Sequence, residues 1–130
     1  MTLPYGDTIF EHFRRPRNQG ALAAATVSQE GSNPLCGDRV RVELRLEGET
    51  VVEAGFTANA CAVCVAAASV LTDLVRGAHI EDVATFTSDE LLRALGAELP
   101  RSRVSCATLP LTVLHTGVTL HRQRAREEAR

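Results

Sequence analysis

The chain has 130 residues, 45% of them hydrophobic and 23% charged, with a formal net charge of −2. That size suits one domain with its own core, expected to run over residues 1–130, and is short for two. So small a charge excludes a general attraction to nucleic acid or an anionic membrane, and no apolar run reaches the length of a membrane span.

Tyr5 to Arg15 predicts a short helix with Ile9, Phe10 and Phe13 on its apolar stripe, stopped by Pro16. Glu11, Arg14, Arg15 and Arg17 interrupt this terminus too early for a signal-peptide core, so the protein is expected in the cytoplasm, where cysteines stay reduced. Arg17 to Ala25 reads as connection, and Thr26 to Glu30 as an edge strand. Val40, Val42, Leu44 and Leu46 alternate with Arg39, Arg41, Glu43 and Arg45, a strand with one dry face and one wet face. Glu47-Gly48-Glu49 turns the chain, and Val51 to Thr57 returns as the second arm of an antiparallel hairpin.

Ala62 to Arg76 changes to helical spacing, with Val63, Ala66, Ala67, Val70, Leu71 and Leu74 on one stripe and Gly77 as its stop. Short helices are expected at Ile80 to Ala84 and at Asp89 to Ala97, the second capped by Ser88. From Ala107 a longer helix carries Ala107, Leu111, Leu114 and Val118 on one face, with Pro110 in its first turns. Its end, Arg122 to Arg130, is expected to be a solvated, frayed tail. Strands first and helices afterwards define an α+β fold: a small three-stranded antiparallel sheet, helices packed on one face, and a long C-terminal helix.

Four cysteines in a reducing compartment point to metal ligands, sulfur chemistry or inert core before disulfides. Cys36 lies in Asn33-Pro34-Leu35-Cys36-Gly37-Asp38, a turn ahead of the clear strand. Cys61 falls where the hairpin passes into the central helix, and Cys106 where a loop passes into the last one. The last two are expected at helix N-termini, where the dipole favours thiolate, the form that binds metal or attacks sulfur. Arg101 and Arg103 would act in the same direction on Cys106. Asp38 offers an oxygen ligand beside Cys36, and Gly37 between them lets both side chains face one ion. Three sulfurs and a carboxylate suit tetrahedral zinc, or an iron–sulfur cluster that must be handed on. The gaps between the three cysteines, 25 and 45 residues, match no short zinc signature. The residues alone leave a shared site and buried packing both open.

Several ordered motifs resemble the U-type iron–sulfur scaffold family of IscU, SufU and the N-terminal domain of NifU-like proteins. They are His12-Phe13-x-x-Pro16-Arg17-Asn18, Asn33-Pro34-x-Cys36-Gly37-Asp38, Cys61-Ala62-Val63 leading to Ala68-Ser69, and Cys106-Ala107-Thr108-Leu109. The resemblance implies that Cys36, Asp38, Cys61 and Cys106 are the ligands of iron or a [2Fe–2S] cluster, with zinc as the alternative occupant. It makes Cys36, Cys61 and Cys106 the sulfur acceptors, with Cys36 foremost. It implies a cysteine desulfurase and apo iron–sulfur acceptor proteins as partners, and a scaffold rather than an enzyme. The alternative is a SufU-like zinc-dependent sulfur acceptor, which as an enzyme would be a sulfur transferase.

The chain departs from the IscU pattern at Ser105, where a histidine is usual, which shifts weight onto Asp38. Leu99-Pro100-Arg101-Ser102-Arg103 replaces the Leu-Pro-Pro-Val-Lys that an Hsp70-type chaperone recognises, which speaks against that partner. Both departures are SufU-like, yet the SufU insertion between the second and third cysteines is missing. Ala58-Asn59-Ala60 stands where the family has glycines, and Asn59 would tolerate a positive φ. Cys64, three residues after Cys61, is extra; packing is the preferred reading, and a fourth sulfur ligand or a Cys-x-x-Cys redox pair the alternative. His12, His79, His115 and His121 show no ligand-like pairing and are expected on the surface.

Overall fold

A computed structural model describes residues 5–129. Helix α1 (Asp7–Arg14) is followed by strands β1 (Val27–Asn33), β2 (Asp38–Glu47) and β3 (Thr50–Asn59). Helices α2 (Ala62–Val75), α3 (Ile80–Thr85), α4 (Ser88–Leu95) and α5 (Arg101–Glu128) complete the order. The three strands form an antiparallel sheet in the order β1-β2-β3.

The alternation in β2 works as written: Val40, Val42 and Leu44 are buried beside Val27 of β1 and Ala54 and Phe56 of β3. Helices α5 and α2 cover that face, α5 over β1 and β2 and α2 over β3. Close approach of α5 depends on glycine. A Cβ on Gly31 would meet Val113 Cγ2 at 2.6 Å, and one on Gly117 would meet Gln29 Cβ at 2.9 Å. Glu43, expected on the wet face, is instead only 7% exposed. The segment after α1 crosses the sheet there, and the Leu22 N–H donates to Glu43 Oε1 at 3.0 Å. That segment also covers the β3 edge: the Phe56 N–H donates to the Asn18 carbonyl and the Gly20 N–H to the Phe56 carbonyl. Among the described residues Asn18, with φ 64°, is the positive-φ non-glycine residue, and Asn59 carries no such strain.

Helix α2 is buried nearly all round rather than along one stripe, because α1 lies against it as well as the sheet and α5. Its alanines, Ala66, Ala67 and Ala68, let three neighbours approach. Leu74, placed on the stripe from spacing, is 47% exposed. The cap of α4 is Thr87, one residue before Ser88, in a capping box with Glu90.

The largest departure is α5, which starts at Arg101 and not at Ala107. Arg101-Ser102-Arg103 carries no apolar repeat, so periodicity misses the first turn, and the buried Cys106 is the first core residue of the helix. Pro110 is therefore well inside the helix and buried, and without an N–H it leaves the Cys106 carbonyl lacking its helical donor. The charged tail is helical through Glu128, with Arg122 paired to Glu81 at 2.7 Å; Arg130 lies outside the described residues. Among the described residues no helix is long and apolar enough to cross a membrane.

Candidate metal centre

The β1–β2 turn, the start of α2 and the second turn of α5 meet at one end of the sheet. The turn is tightened by backbone bonds from the Cys36 and Gly37 N–H groups to the Asn33 carbonyl, at 3.2 and 2.9 Å. Gly37 has φ 73°, the left-handed conformation that only glycine takes at low cost. It turns the chain so that Cys36 stays exposed while Asp38, two residues on, is 2% exposed.

Cys36 Sγ, a carboxylate oxygen of Asp38 and Cys106 Sγ all lie within 4.8 Å of one another. The Cys106 thiol donates to Cys36 Sγ at 3.3 Å. Cys61 is not in that mutually close set but is tied to it through Asp38. Asp38 Oδ1 accepts the Cys61 N–H at 2.8 Å, and Oδ2 accepts the Cys61 thiol at 3.6 Å. Cys61 is the N-cap residue of α2 and makes no side-chain cap bond of its own. Asp38 therefore links the start of β2 to the start of α2, a structural task beyond any ligand role.

Cys106 does not stand at a helix N-terminus as the sequence suggested. It lies in the second turn of α5, fully buried, beyond the reach of the dipole's first turn. Burial, then hydrogen bonding with Cys36 and Asp38, pushes its thiol up, against the thiolate-favouring environment expected from the helix end and the arginines. Arg103 lies near Cys106 and Tyr5, whose influence raises its pKa. Cys64 is fully buried; desolvation first, then the charges of Asp38, Cys61 and Cys36, holds its thiol up as well. It belongs to the hydrophobic core and not to the close set.

The sequence pattern marks Asn33 only as part of a motif. Its carbonyl closes the turn, its Nδ2 donates to Cys36 Sγ at 3.6 Å and to Ser105 Oγ at 3.2 Å, and its Oδ1 accepts the Leu35 N–H. Ser105, where IscU-type relatives carry histidine, thus fastens the cysteine turn to α5. The signal for this was present, since Asn at the head of a turn before Pro favours such side-chain bonds.

The histidines are not uniformly on the surface. His12 is half-buried; its Nδ1 is 2.7 Å from Ser69 Oγ, which also accepts the Arg17 N–H at 2.8 Å. Burial, then the nearby Arg17, lowers the His12 pKa. His115 is half-buried, 3.1 Å from the Val83 carbonyl, and His121 is half-buried. His79 is exposed, caps α3 by accepting the Glu81 N–H, and lies 2.9 Å from Glu49.

The donor set fits a metal. Ligands about 2.3 Å from one tetrahedral ion stand about 3.8 Å apart, close to the spacings seen among Cys36, Asp38 and Cys106. Soft sulfurs with one harder oxygen suit zinc or iron.

Fold and site together define a small α+β protein with three cysteines and a buried aspartate at one end of its sheet. Residues 4–128 match the NifU-like N-terminal domain, and the chain belongs to that family. It is 32% identical to the zinc-dependent sulfurtransferase SufU of Bacillus subtilis, covering 88% of each chain. It is 30% identical to an IscU iron–sulfur cluster assembly scaffold protein of Archaeoglobus fulgidus, over 88% of this chain and 74% of that one. It is 38% identical to the bifunctional NifU/MnmA protein of Rubrobacter xylanophilus over 85% of its length, but spans only 23% of that larger protein. The crystal structure of the N-terminal part of a NifU-like protein from Brucella abortus has the same fold, with a TM-score of 0.75 at 19% identity, covering 91% and 94% of the two chains.

Proposed function

We propose that the protein is a scaffold on which an iron–sulfur cluster is assembled. In this reading Cys36 receives sulfur from a cysteine desulfurase, and iron joins it on Cys36, Asp38, Cys61 and Cys106. The resulting [2Fe–2S] cluster is the cargo, passed on to apo acceptor proteins. The observation that carries the reading is the approach of two thiols and a buried carboxylate within 4.8 Å, with a third thiol hydrogen-bonded to that carboxylate. The exposed Cys36 is the member of the set that an incoming sulfur donor reaches first. The oxygen of Asp38 is the most exchangeable ligand, which suits release. Metal binding through thiols that must stay reduced suits a reducing compartment, the cytoplasm.

A second reading is favoured by the likeness to the Bacillus subtilis zinc-dependent sulfurtransferase. Here zinc is resident, held by the same four residues, and supplies Lewis acidity that keeps their thiols deprotonated. Cys36 then accepts sulfur for delivery elsewhere.

Metal and acid-labile sulfide analysis of freshly prepared protein, with an anaerobic visible spectrum, separates the two. Iron and sulfide in equal amounts with visible absorption support the scaffold. Zinc without visible absorption supports the sulfur acceptor. Loss of neither metal in Cys36→Ser or Cys106→Ser would refute both.

A further inference from the structure

We propose that Cys106 is a resolving thiol: it attacks a persulfide on Cys36 and releases sulfide, leaving a Cys36–Cys106 disulfide. The inference rests on the reading of Cys36 as the sulfur acceptor and goes beyond it, since it states how the sulfur leaves. The two sulfurs are 3.3 Å apart, within the separation of a near-attack arrangement. Their surroundings are opposite: Cys106 is fully buried behind Cys36, and Cys36 is exposed. A sulfur added to Cys36 from solvent therefore projects outward, with Cys106 on the inner side of the Cys36 sulfur. Nucleophile behind and leaving group in front is the in-line arrangement that displacement at sulfur requires.

Neither other cysteine is placed to compete. The Cys61 thiol is directed to Asp38 Oδ2, and Cys64 lies in the core outside the close set. Asn33 holds the acceptor in register, donating to Cys36 Sγ while bonded to Ser105 one residue before Cys106.

The step balances without an outside oxidant. The Cys106 sulfur bonds to the Cys36 sulfur, the bond from Cys36 to the outer sulfur breaks, and its electron pair leaves with the outer sulfur. The Cys106 thiol gives up its proton as it attacks, and the departing outer sulfur takes one up, so hydrogen sulfide leaves with no net change in protons. The two electrons that reduce the transferred sulfur come from the two cysteine sulfurs, which end as a disulfide. Sulfide release in a single turnover needs no reductant; a further round, and metal binding by Cys36 and Cys106, need a dithiol that reopens the disulfide.

The test uses the full chain, stripped of metal and reduced, then treated anaerobically with glutathione persulfide and freed of excess reagent. Sulfide release is followed with time, and the cysteines are mapped by mass spectrometry of non-reduced peptides. In the wild type, sulfide is expected to appear in step with a Cys36–Cys106 disulfide. In Cys106→Ser the added sulfur is expected to remain on Cys36, with sulfide release slowed about tenfold or more. Equal persistence of the Cys36 persulfide in both proteins, with no Cys36–Cys106 disulfide, overturns the resolving role and leaves sulfur acceptance standing. Absence of a Cys36 persulfide even in Cys106→Ser overturns the acceptor reading and this inference with it. The wild-type peptide map decides the question even if the buried substitution impairs folding.

Discussion

Replacing Asp38 by alanine and by asparagine separates its two tasks. The side chain is 2% exposed and accepts the Cys61 N–H at 2.8 Å, a bond from a carboxylate to the backbone at the start of α2. Alanine removes the acceptor and leaves that N–H without its partner, a loss of about 1.5–3 kcal/mol for a bond to a charged group. Unfolding entropy of about 2.1 cal/mol/K per residue, over 130 residues, converts this into a Tm fall of roughly 5–11 °C. Asparagine keeps an oxygen for the Cys61 N–H and should lose less than half as much, while still lacking the anionic ligand. Thermal unfolding of metal-free protein, followed by circular dichroism, reads the structural task; metal stoichiometry reads the other. Both variants are expected to bind less zinc, but only alanine to melt markedly earlier. Equal Tm losses in the two variants, or none in alanine, would show that the Cys61 N–H bond is not what Asp38 contributes to the fold. In cluster-loaded protein, Asp38→Ala is expected to lengthen cluster lifetime and slow transfer, because the exchangeable oxygen is gone. Faster bleaching of the variant without an apo acceptor contradicts that role.

Cys64→Ser should leave metal content unchanged and lower stability by about 1–3 kcal/mol, since it buries a hydroxyl in an apolar core; a halved metal stoichiometry would make Cys64 a ligand after all. Gly117→Ala should destabilise by about 1–3 kcal/mol in chemical denaturation despite alanine's better helix propensity, because its Cβ meets Gln29 and Val27 at 2.9 and 3.0 Å. A stabilised Gly117→Ala would mean that α5 and β1 separate freely. His12 has its pKa lowered by burial, so the unfolded chain binds the extra proton more readily than the fold does. Its contribution is complete above the unfolded value of 6.5 and is lost as pH falls from there towards the lowered folded value. Stability of the wild type should thus rise with pH across that window more steeply than that of His12→Gln, and parallel Tm–pH curves would refute the assignment.

Most of the elements were legible because their signals are local. The alternation from Arg39 to Leu46 specifies a strand and its faces, Gly48 with φ 59° specifies the hairpin turn, and the switch at Ala62 specifies the start of α2. The start of α5 was not legible, because Arg101 to Ser105 carries no repeat of its own, and what ties the segment down is Ser105 and Cys106 meeting the cysteine turn. The burial of Glu43 was hidden for the same reason, since it depends on a segment that lies 21 residues away in sequence.

What the amino-acid order determined by itself was an α+β chain with an exposed cysteine turn, a hairpin and a helix led by a second cysteine. Cys36-Gly37-Asp38 carries its own bend, because Gly37 takes the positive φ that lets both flanking side chains face one ion. Only the tertiary structure decided which thiols meet. Cys36 and Cys106 are 70 residues apart and come within 3.3 Å because α5 lies across β1 and β2, and that approach depends on absent side chains at Gly31 and Gly117. Cys61 was committed by a bond no spacing could announce, the carboxylate of Asp38 answering an otherwise free N–H at the head of α2. Local propensity acts over a few residues, whereas contacts at the site follow from how whole elements bury their apolar faces against one another.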